Sequence, residues 1–515
     1  MSFVRARFGR SRIARALRVV RTAQLLPPGR ARVSPPTPDL ARESHKPLTR
    51  PAAEHVFSRV AGAAPVPGNS LRLLEDAAQN YPAWLEAVAQ ARFCINFENY
   101  IFSSDAAGRR FRDALAAKAR EGVKVRVLYD WMGCLTKTRP GFFGPLRRAG
   151  ADVRCFNRPR LDSPFGWLSR NHRKTISVDG AVGFVAGLCI GDAWVGYPAK
   201  QIQPWRDTGV ELRGPAVADL DAAFAQSWAF AGGAPFALAP APPANTRAGD
   251  VSLRIIGSKP NTMGLYRFDQ LIAALARDRL WLTDAYFVGT TSYTQALIDA
   301  ARDGVDVRLL VPGSSDIPVA KALSRAGYRP LLENGVRVFE WNGPMMHAKT
   351  AVADGRWARI GSTNLNLASW AGNWELDVAV EDEGVASGME AMFERDLQSA
   401  TEIVLEQARV QATVPHRHPR RGSPGRLAAG AVGLGSAVGA AITNHRALGP
   451  AEARVMATGG LLLLALALLA VLYPWVLTVP LAILATWVAA TLLIRALRLR
   501  AGHHLALPRD TSSQS

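Results

Sequence analysis

The chain has 515 residues, of which 48% are hydrophobic and 20% are charged. This composition excludes a disordered polymer and a fibrous repeat, and the length allows about three domains with sizeable cores. The four cysteines have no C-x-x-C spacing, which argues against a cysteine-based zinc site and indicates a reducing compartment.

The net charge of +20 is concentrated at the two ends of the chain. Residues 1–50 contain 11 Arg and one Lys against two acidic residues, and residues 409–515 contain 11 Arg against two. Residues 51–408 are therefore almost neutral, with 39 basic and 38 acidic side chains. A nucleic-acid enzyme normally carries its basic surface on the folded domain. The distribution instead favours a membrane surface as partner and predicts no nucleic-acid partner.

Residues 1–50 are predicted to form a basic N-terminal arm and linker. In residues 1–26 arginines alternate with apolar side chains at helical spacing, which is typical either of a helix on an anionic lipid surface or of a disordered basic arm. No continuous apolar run follows the arginines, so a secretory signal is not expected. Residues 27–50, rich in Pro and Arg, are predicted to be a linker.

The central part of the chain contains an internal duplication. AREGVKVRVLYD at 119–130 matches ARDGVDVRLLVP at 301–312, and each follows an amphipathic helical pattern. Upstream of each lies a strand pattern that ends in aromatic residues, FENYIF at 97–102 and TDAYF at 283–287. These repeats predict an α/β fold of two pseudo-symmetric lobes, each a mixed β-sheet flanked by helices. The predicted domains are 51–240 and 241–408.

The duplication extends to a chemical motif. NHRKTISVDG at 171–180 and MHAKTAVADG at 346–355 both read His-x-Lys-x4-Asp followed by Gly. In a strand, residues two apart face the same side, so each motif would present one imidazole and one ammonium together. The Asp-Gly pairs are typical of hairpin turns. Each motif is therefore predicted to be a β-hairpin.

Histidine is rare in this region, since residues 51–408 contain only His55, His172 and His347. Two histidines that meet across a pseudo-twofold axis suit phosphodiester exchange, because one imidazole can attack phosphorus while the other protonates the leaving alkoxide. Lys174 and Lys349 would stabilise the charge on the non-bridging oxygens. The motif pair thus predicts catalysis with no metal and no other cofactor.

The C-terminal part is predicted to enter a membrane. Residues 455–494 form a run of forty residues without a charge, broken by Tyr473-Pro474-Trp475. Each part is about 20 residues long, the length that spans a bilayer, so a transmembrane helical hairpin is expected. Arginines flank it on both sides, which predicts cytoplasmic ends and a cytoplasmic catalytic part. The alternative is a buried helical pair in a soluble domain.

Two further segments flank this hairpin. Residues 409–454 are predicted to be a basic linker with an apolar stretch of small residues at 427–442. This stretch is either a third membrane element or a helix that packs on the hairpin. Residues 495–515 are predicted to be a basic tail.

The doubled motif resembles the phospholipase D superfamily, and the surrounding sequence resembles the bacterial cardiolipin synthases, including those of the B type. The resemblance extends over residues 70–408. It is carried by NYIFSSD (99–105), EGVKVRVLYD (121–130), NHRKTISVDG (171–180), PWRDTGVELRGP (204–215), DAYFV (284–288), DGVDVRLLVPGSSD (303–316), MHAKTAVADG (346–355) and GSTNLNLASWAGNWE (361–375).

The resemblance implies a role for each motif residue. His172 would be the nucleophile and His347 the general acid and base, with the reverse assignment left open. The residues expected to bind the phosphoryl group of the substrate are Lys174, Lys349, Ser362 and Asn364. Asp207 and Glu375 would hold the second nitrogen of each histidine and fix its tautomer. Asp179 and Asp354 belong to the motif and are expected to support the hairpins.

One position departs from the family pattern. Where the second repeat has Asn364, the first has Cys189, and a thiol donates to a phosphate oxygen only weakly. Full symmetry of the phosphate site is therefore not expected.

The resemblance implies a phosphatidyltransferase of the bacterial inner membrane that joins two phosphatidylglycerols into cardiolipin and releases glycerol. The proposed intermediate is a covalent phosphohistidine. The alternatives are a phospholipase D-type hydrolase that yields phosphatidic acid, a nuclease of the superfamily and a non-catalytic lipid-binding protein.

Overall fold

A computed structural model describes residues 50–159, 166–236, 247–406, 409–410, 460–461 and 464–504. The predicted arm up to residue 49, almost all of the predicted linker 409–454 with its stretch 427–442, and the tail beyond residue 504 lie outside the described residues.

The described residues contain a mixed sheet of fifteen strands. Its first half consists of β1 Val66–Glu75, β2 Cys94–Asn99, β3 Lys124–Asp130, β4 Asp152–Phe156, β5 Thr175–Val178, β6 Val182–Ala186 and β7 Thr208–Arg213. Its second half consists of β8 Val251–Ser258, β9 Arg279–Thr283, β10 Asp306–Pro312, β11 Arg337–Trp341, β12 Thr350–Ala353, β13 Trp357–Gly361, β14 Glu375–Glu381 and β15 Ala400–Ile403. A separate two-stranded pair is formed by Leu405–Glu406 and Arg409–Val410.

The two halves of the sheet have nearly the same strand order when each is followed from the middle of the sheet to its edge. It runs β1-β7-β6-β5-β2-β3-β4 on one side and β8-β14-β13-β12-β9-β10-β11 on the other, where β15 is added at the edge. In each half the last three matched strands are parallel and the others antiparallel. The antiparallel pairing of β1 with β8 joins the halves, so the described sheet is continuous.

Helices cover both halves of this sheet. The first half carries α2 Asp76–Gln90, α3 Ala106–Arg120, α4 Trp131–Cys134, α5 Gly144–Arg148, α6 Asp192–Val195 and α7 Val217–Phe230, whereas α1 Arg50–Ala61 packs on the second half, where the ring of Phe57 lies 5.9 Å from that of Phe268. The second half carries α8 Gly264–Leu275, α9 Thr291–Arg302, α10 Pro318–Ala326, α11 Tyr328–Leu332 and α12 Glu383–Leu397. Short helical turns occur at Gly166–Leu168, Pro198–Lys200 and Ala368–Gly372.

The duplicated helix-turn-strand segments fold as their pattern predicts. Helix α3 begins after Asp105, whose carboxylate accepts from the N–H of Gly108 at 3.0 Å, and α9 begins after Thr290, whose hydroxyl caps it in the same way. Apolar side chains on one face of each helix, such as Phe111 and Leu297, are buried against the sheet. Both helices are followed by a strand in a parallel pair.

Both Asp-Gly pairs form the predicted hairpin turns. Asp179 and Gly180 have φ angles of 55° and 64°, and Asp354 and Gly355 have φ angles of 53° and 63°. Two successive left-handed residues are the geometry of a type I′ turn, whose twist matches that of the strands it joins. The turns connect β5 to β6 and β12 to β13.

The C-terminal residues include a long apolar helix, α13 Pro474–His504. Residues 464–472 are also helical, and the helix is interrupted at Tyr473 before Pro474 opens α13. Among the described residues, one helical segment, Pro474–Ile494, is long enough and apolar enough to cross a membrane. Its side chains are largely exposed.

Candidate active site

The two motif histidines lie at the same place in the two halves of the sheet. His172 and His347 are in the extended residues that precede β5 and β12, because these strands begin at Thr175 and Thr350. The sequence pattern had suggested that each motif starts on a strand. In the structure it starts just before the strand. Both imidazoles are buried, and both line one cavity of about 1090 Å³.

Each histidine segment is bound to the other half of the sheet. The N–H of His172 donates to the carbonyl of Trp374 at 2.9 Å, directly before Glu375. The N–H of His347 donates to the carbonyl of Arg206 at 2.7 Å, directly before Asp207. These short parallel bridges place each imidazole beside a carboxylate of the opposite half.

The carboxylates bind the Nδ1 atom of each imidazole. Nδ1 of His172 lies 2.9 Å from Oε2 of Glu375 and 3.0 Å from the carbonyl oxygen of Ser362. Nδ1 of His347 lies 2.7 Å from Oδ2 of Asp207. A carbonyl oxygen and an ionised carboxylate only accept, so both Nδ1 atoms carry the proton, and the ammonium of Lys349, which also lies 3.1 Å from Nδ1 of His347, donates to the carbonyl of His347. The Nε2 lone pair of each imidazole is therefore free for chemistry.

Both imidazoles are neutral at neutral pH. Burial lowers the pKa of His172 to about 4, although the charge of Glu375 opposes this change. Burial also lowers the pKa of His347 to about 4, assisted by the ammonium of Lys349 and opposed by Asp207. A neutral imidazole is the form that acts as a nucleophile or a base.

Hydrogen-bond donors and the nearby charges of the motif lysines keep the two carboxylates ionised. The neighbouring histidine lowers the pKa of Glu375 and of Asp207 below the usual range, although burial acts in the opposite direction. Glu375 also accepts from the side-chain amide of Asn373 at 3.1 Å, and Asp207 accepts from the indole N–H of Trp194 at 2.9 Å. The two halves thus hold equivalent carboxylates with different donors.

Ser362 lies beside Glu375. Its hydroxyl donates to Oε2 of Glu375 at 2.6 Å, it is fully buried, and it is absent from the residues that line the cavity. This contact positions Glu375, and a contact of Ser362 with substrate stays a prediction. The matching position in the first half is Gly187, where a Cβ atom would lie 2.1 Å from Oδ1 of Asp207.

The two motif lysines lie beneath the cavity wall. Lys174 and Lys349 are 2% and 1% exposed, and each ammonium donates to the carbonyl of the motif histidine two residues earlier. Burial lowers the pKa of both lysines, while nearby carboxylates oppose the change. Each ammonium also lies over an aromatic ring. The nitrogen of Lys174 is 5.2 Å from the centre of the ring of Tyr100.

The cavity wall includes the side-chain amide of Asn364, whose nitrogen donates to the hydroxyl of Ser369 at 3.4 Å. Asn364 lines the cavity, and its Oδ1 atom has no hydrogen-bond partner although it is buried. Cys189 lines the same cavity at the matching position of the first half, where burial raises the pKa of its thiol. The two sides of the cavity therefore differ at this position.

Asp179 and Asp354 face away from the cavity. The carboxylate of Asp179 accepts from three successive backbone N–H groups, of residues 92–94, at 2.7 to 2.8 Å. Asp354 accepts in the same way from residues 277–279 at 2.9 to 3.3 Å. Both side chains connect a hairpin to the loop before the neighbouring strand.

Four aromatic residues around the histidines were not predicted as site residues. The ring of Tyr100 lies 4.9 Å from His172, and that of Tyr286 lies 5.9 Å from His347. Trp194 and Trp205 enclose His347 at 5.4 and 5.6 Å. The matched aromatic residues after β2 and β9 were a visible signal for the tyrosines, whereas no comparable repeat marked the tryptophans.

In the described ranges, no group of three His, Cys, Asp or Glu side chains is arranged to hold a metal ion. The side chains that the site offers for chemistry are its imidazoles, carboxylates and ammonium groups. Two Nε2 lone pairs directed to one cavity, each on an imidazole backed by a carboxylate, fit nucleophilic and acid-base catalysis.

Comparison with known proteins identifies the family. The family model for the cardiolipin synthase, PLD-like domain matches residues 85–191 and 270–397. Cardiolipin synthase 1 of Bacillus anthracis is 31% identical over 363 residues, which are 68% of this chain and 70% of that protein. Cardiolipin synthase A of Pseudomonas aeruginosa strain LESB58 is 35% identical over 348 residues, 66% of this chain and 69% of that protein.

A solved structure supports the fold. The crystal structure of phosphatidylserine synthase from Haemophilus influenzae Rd KW20 matches with a TM-score of 0.55 at 14% identity, covering 68% of this chain and 91% of that one. Likeness to the B type of synthase stays a prediction. The chain belongs to the cardiolipin synthase family of the phospholipase D superfamily.

Proposed function

We propose that the protein is a phosphatidyltransferase that joins two phosphatidylglycerols into cardiolipin and releases glycerol. One observation carries this proposal: His172 and His347 line the same cavity, and each is held through Nδ1 by the carboxylate of the opposite half. Neither half alone contains a complete histidine-carboxylate pair. A reaction at one phosphorus atom therefore needs both halves.

In the first step, Nε2 of one histidine attacks the phosphorus of the donor phosphatidylglycerol. The N–P bond forms while the bond from phosphorus to the glycerol oxygen breaks, and the second histidine gives its proton to the leaving alkoxide. Following the family resemblance, His172 is the nucleophile and His347 the acid. The product is a phosphatidylated histidine and free glycerol.

In the second step, the second histidine is the base. It takes the proton from a hydroxyl of the acceptor phosphatidylglycerol, whose oxygen bonds to phosphorus as the N–P bond breaks. Cardiolipin leaves, and the acid is protonated again for the next cycle. The proton balance therefore closes without a cofactor.

The charges around the cavity support this cycle. Both histidines are neutral at neutral pH, because burial lowers their pKa to about 4. A bound phosphodiester brings a negative charge, which raises the pKa of the acid histidine and allows it to hold a proton. The ammonium groups of Lys174 and Lys349, with the amide of Asn364, stabilise the charge on the phosphoryl oxygens.

The chain organisation fits an enzyme at a bilayer. We assign residues 51–240 and 241–408 to two lobes of the phospholipase D type, because the strand order repeats around the β1–β8 pair. The apolar helix from Pro474 and the helical residues before Tyr473 support a membrane hairpin over 455–494. The arginines on both sides of it favour a cytoplasmic position for the lobes at a bacterial inner membrane.

The test is expression in bacterial cells that lack their own cardiolipin synthases, followed by mass spectrometry of the lipids. We expect cardiolipin to appear with the wild-type chain and not with the H172A chain. Purified enzyme in phosphatidylglycerol vesicles should release glycerol in amounts equal to the cardiolipin formed. Folded protein that yields phosphatidic acid alone would identify a hydrolase and overturn the proposal.

A further inference from the structure

The cavity extends well beyond the histidines, and one side of its mouth is basic. Arg109, Lys137, Arg139 and Arg170 line this side. They come from α3, from the loop between α4 and α5, and from the segment before His172, so all four belong to the first half of the sheet. We call this group the basic rim.

The acidic residues at the same mouth are already engaged. Asp105 and Asp192 accept from backbone N–H groups at the start of α3 and α6, and Asp316 accepts from the hydroxyl of Tyr286 at 2.8 Å. None of the basic-rim side chains forms an ion pair with a residue that the structure describes. The three carboxylates keep their charge, so the four cations of the basic rim leave a net charge of +1 among the Arg, Lys and Asp side chains that line the cavity.

The loop that carries two of these cations is fixed in place. The hydroxyl of Ser104 donates to the carbonyl of Lys137 at 3.2 Å and accepts from the N–H of Arg139 at 3.2 Å. Ser104 lies shortly after Tyr100, whose ring packs 4.9 Å from His172. The basic rim is thus connected through one short segment to the proposed nucleophile.

The proposed reaction needs a second anion site. Donor and acceptor are both phosphodiesters, and in the product their phosphates are separated by one glycerol unit. The acceptor phosphate must therefore lie in the cavity that holds the reacting phosphorus, but away from the histidines. A neutral acceptor such as water or free glycerol has no charge to be bound there.

Resting on the proposed function, we propose that the basic rim is the acceptor subsite and binds the phosphate of the second phosphatidylglycerol. Guanidinium and ammonium groups form charge-assisted hydrogen bonds to phosphate oxygens, and these are stronger than neutral ones. The basic rim thereby favours transfer to an anionic lipid over transfer to a neutral alcohol.

The experiment compares two reactions of the same phosphatidylated enzyme. Purified protein is placed in phosphatidylglycerol vesicles with labelled glycerol, so that label entering phosphatidylglycerol reports the donor step and cardiolipin reports transfer to the anionic acceptor. In the double variant K137Q/R139Q the ratio of cardiolipin to exchanged label should fall about ten-fold, as expected for two weakened phosphate contacts. The charge-preserving variant K137R/R139K should restore most of the ratio.

The control variant R110Q/R120Q removes the same charge from exposed positions of α3 outside the cavity and should leave the ratio unchanged. An unchanged ratio in K137Q/R139Q, or an equal loss of both reactions, would show that the basic rim does not serve the acceptor. Wild-type protein that gives neither exchange nor cardiolipin would instead reject the proposed function itself.

Discussion

His347 and Asp207 are 140 positions apart in the chain, yet Nδ1 of the imidazole lies 2.7 Å from Oδ2 of the carboxylate. His172 and Glu375 form the matching pair at 2.9 Å, so the two pairs cross between the halves. The crossing makes each half incomplete on its own. It also explains why a duplicated chain can carry one site rather than two.

Replacing either histidine by alanine should abolish turnover, because neither half supplies both nucleophile and acid. We expect H172A and H347A each to lower kcat by about 10³-fold or more, since residues that act as a unit fail together. Cardiolipin formation in vesicles measures the effect. H55A, at an exposed position of α1, is the control and should keep wild-type activity. Near-normal turnover in either motif variant would contradict the division of roles.

Removing the charge of the supporting carboxylates should lower the rate without unfolding the protein. E375Q and D207N keep the size of the side chain but no longer stabilise the Nδ1–H tautomer and the imidazolium, a change that costs about 10² to 10⁴-fold in comparable sites. Turnover and its pH profile should both change.

E381Q is the matched control for these variants, since Glu381 is exposed at the far end of the same strand β14. If E375Q altered the melting temperature but neither kcat nor the pH profile, Glu375 would have only a structural role.

Asp179 should matter for folding more than for chemistry. D179A removes an acceptor from three backbone N–H groups and leaves alanine at a φ of 55°, so we expect a loss of about 1–3 kcal/mol in the free energy of unfolding. D179N keeps one acceptor oxygen and tolerates this φ, and should lose less. Thermal melting and activity per folded molecule are measured together. A fall in kcat as deep as that of H172A would instead indicate a direct chemical role.

Stability should depend on pH through the two histidines. The pKa of each is about 4 in the folded state against 6.5 for an ordinary histidine, so the unfolded chain binds more protons between these values. Each histidine therefore destabilises the fold as the pH falls from about 6.5 to 4, with a slope of up to about 1.4 kcal/mol per pH unit. Melting temperatures across this range should decline less steeply in H172N and H347N than in the wild type.

Buried carboxyls act in the opposite direction, since burial raises the pKa of Asp130 and Asp269 to about 6 and that of Asp284 to about 7. For this reason, the measurement compares how steeply the melting temperature changes with pH in each variant and in the wild type. H55N is the control. Parallel slopes for all three variants would contradict the low histidine pKa values.

Much of the site was predictable because its parts are local patterns. The paired His-x-Lys-x4-Asp motifs, the Asp-Gly turns and the uncharged run near the C-terminus are visible in the chain without any tertiary information. The hairpin turns form as predicted, since two adjacent left-handed residues require little help from the rest of the fold. The mixed α/β class followed from the repeated helix-turn-strand segments.

Other features depend on contacts between distant segments. Which carboxylate holds which histidine was decided by the β1–β8 pair and by the parallel bridges that place Trp374 beside Asn171 and Arg206 beside Met346. Ser362 binds Glu375 because its strand end lies beside that carboxylate. The sequence by itself determined which residue types are duplicated and at what spacing, since these are properties of the chain. Only the tertiary structure decided their partners and their burial, because hydrogen bonds and exclusion of water depend on which distant segments become neighbours.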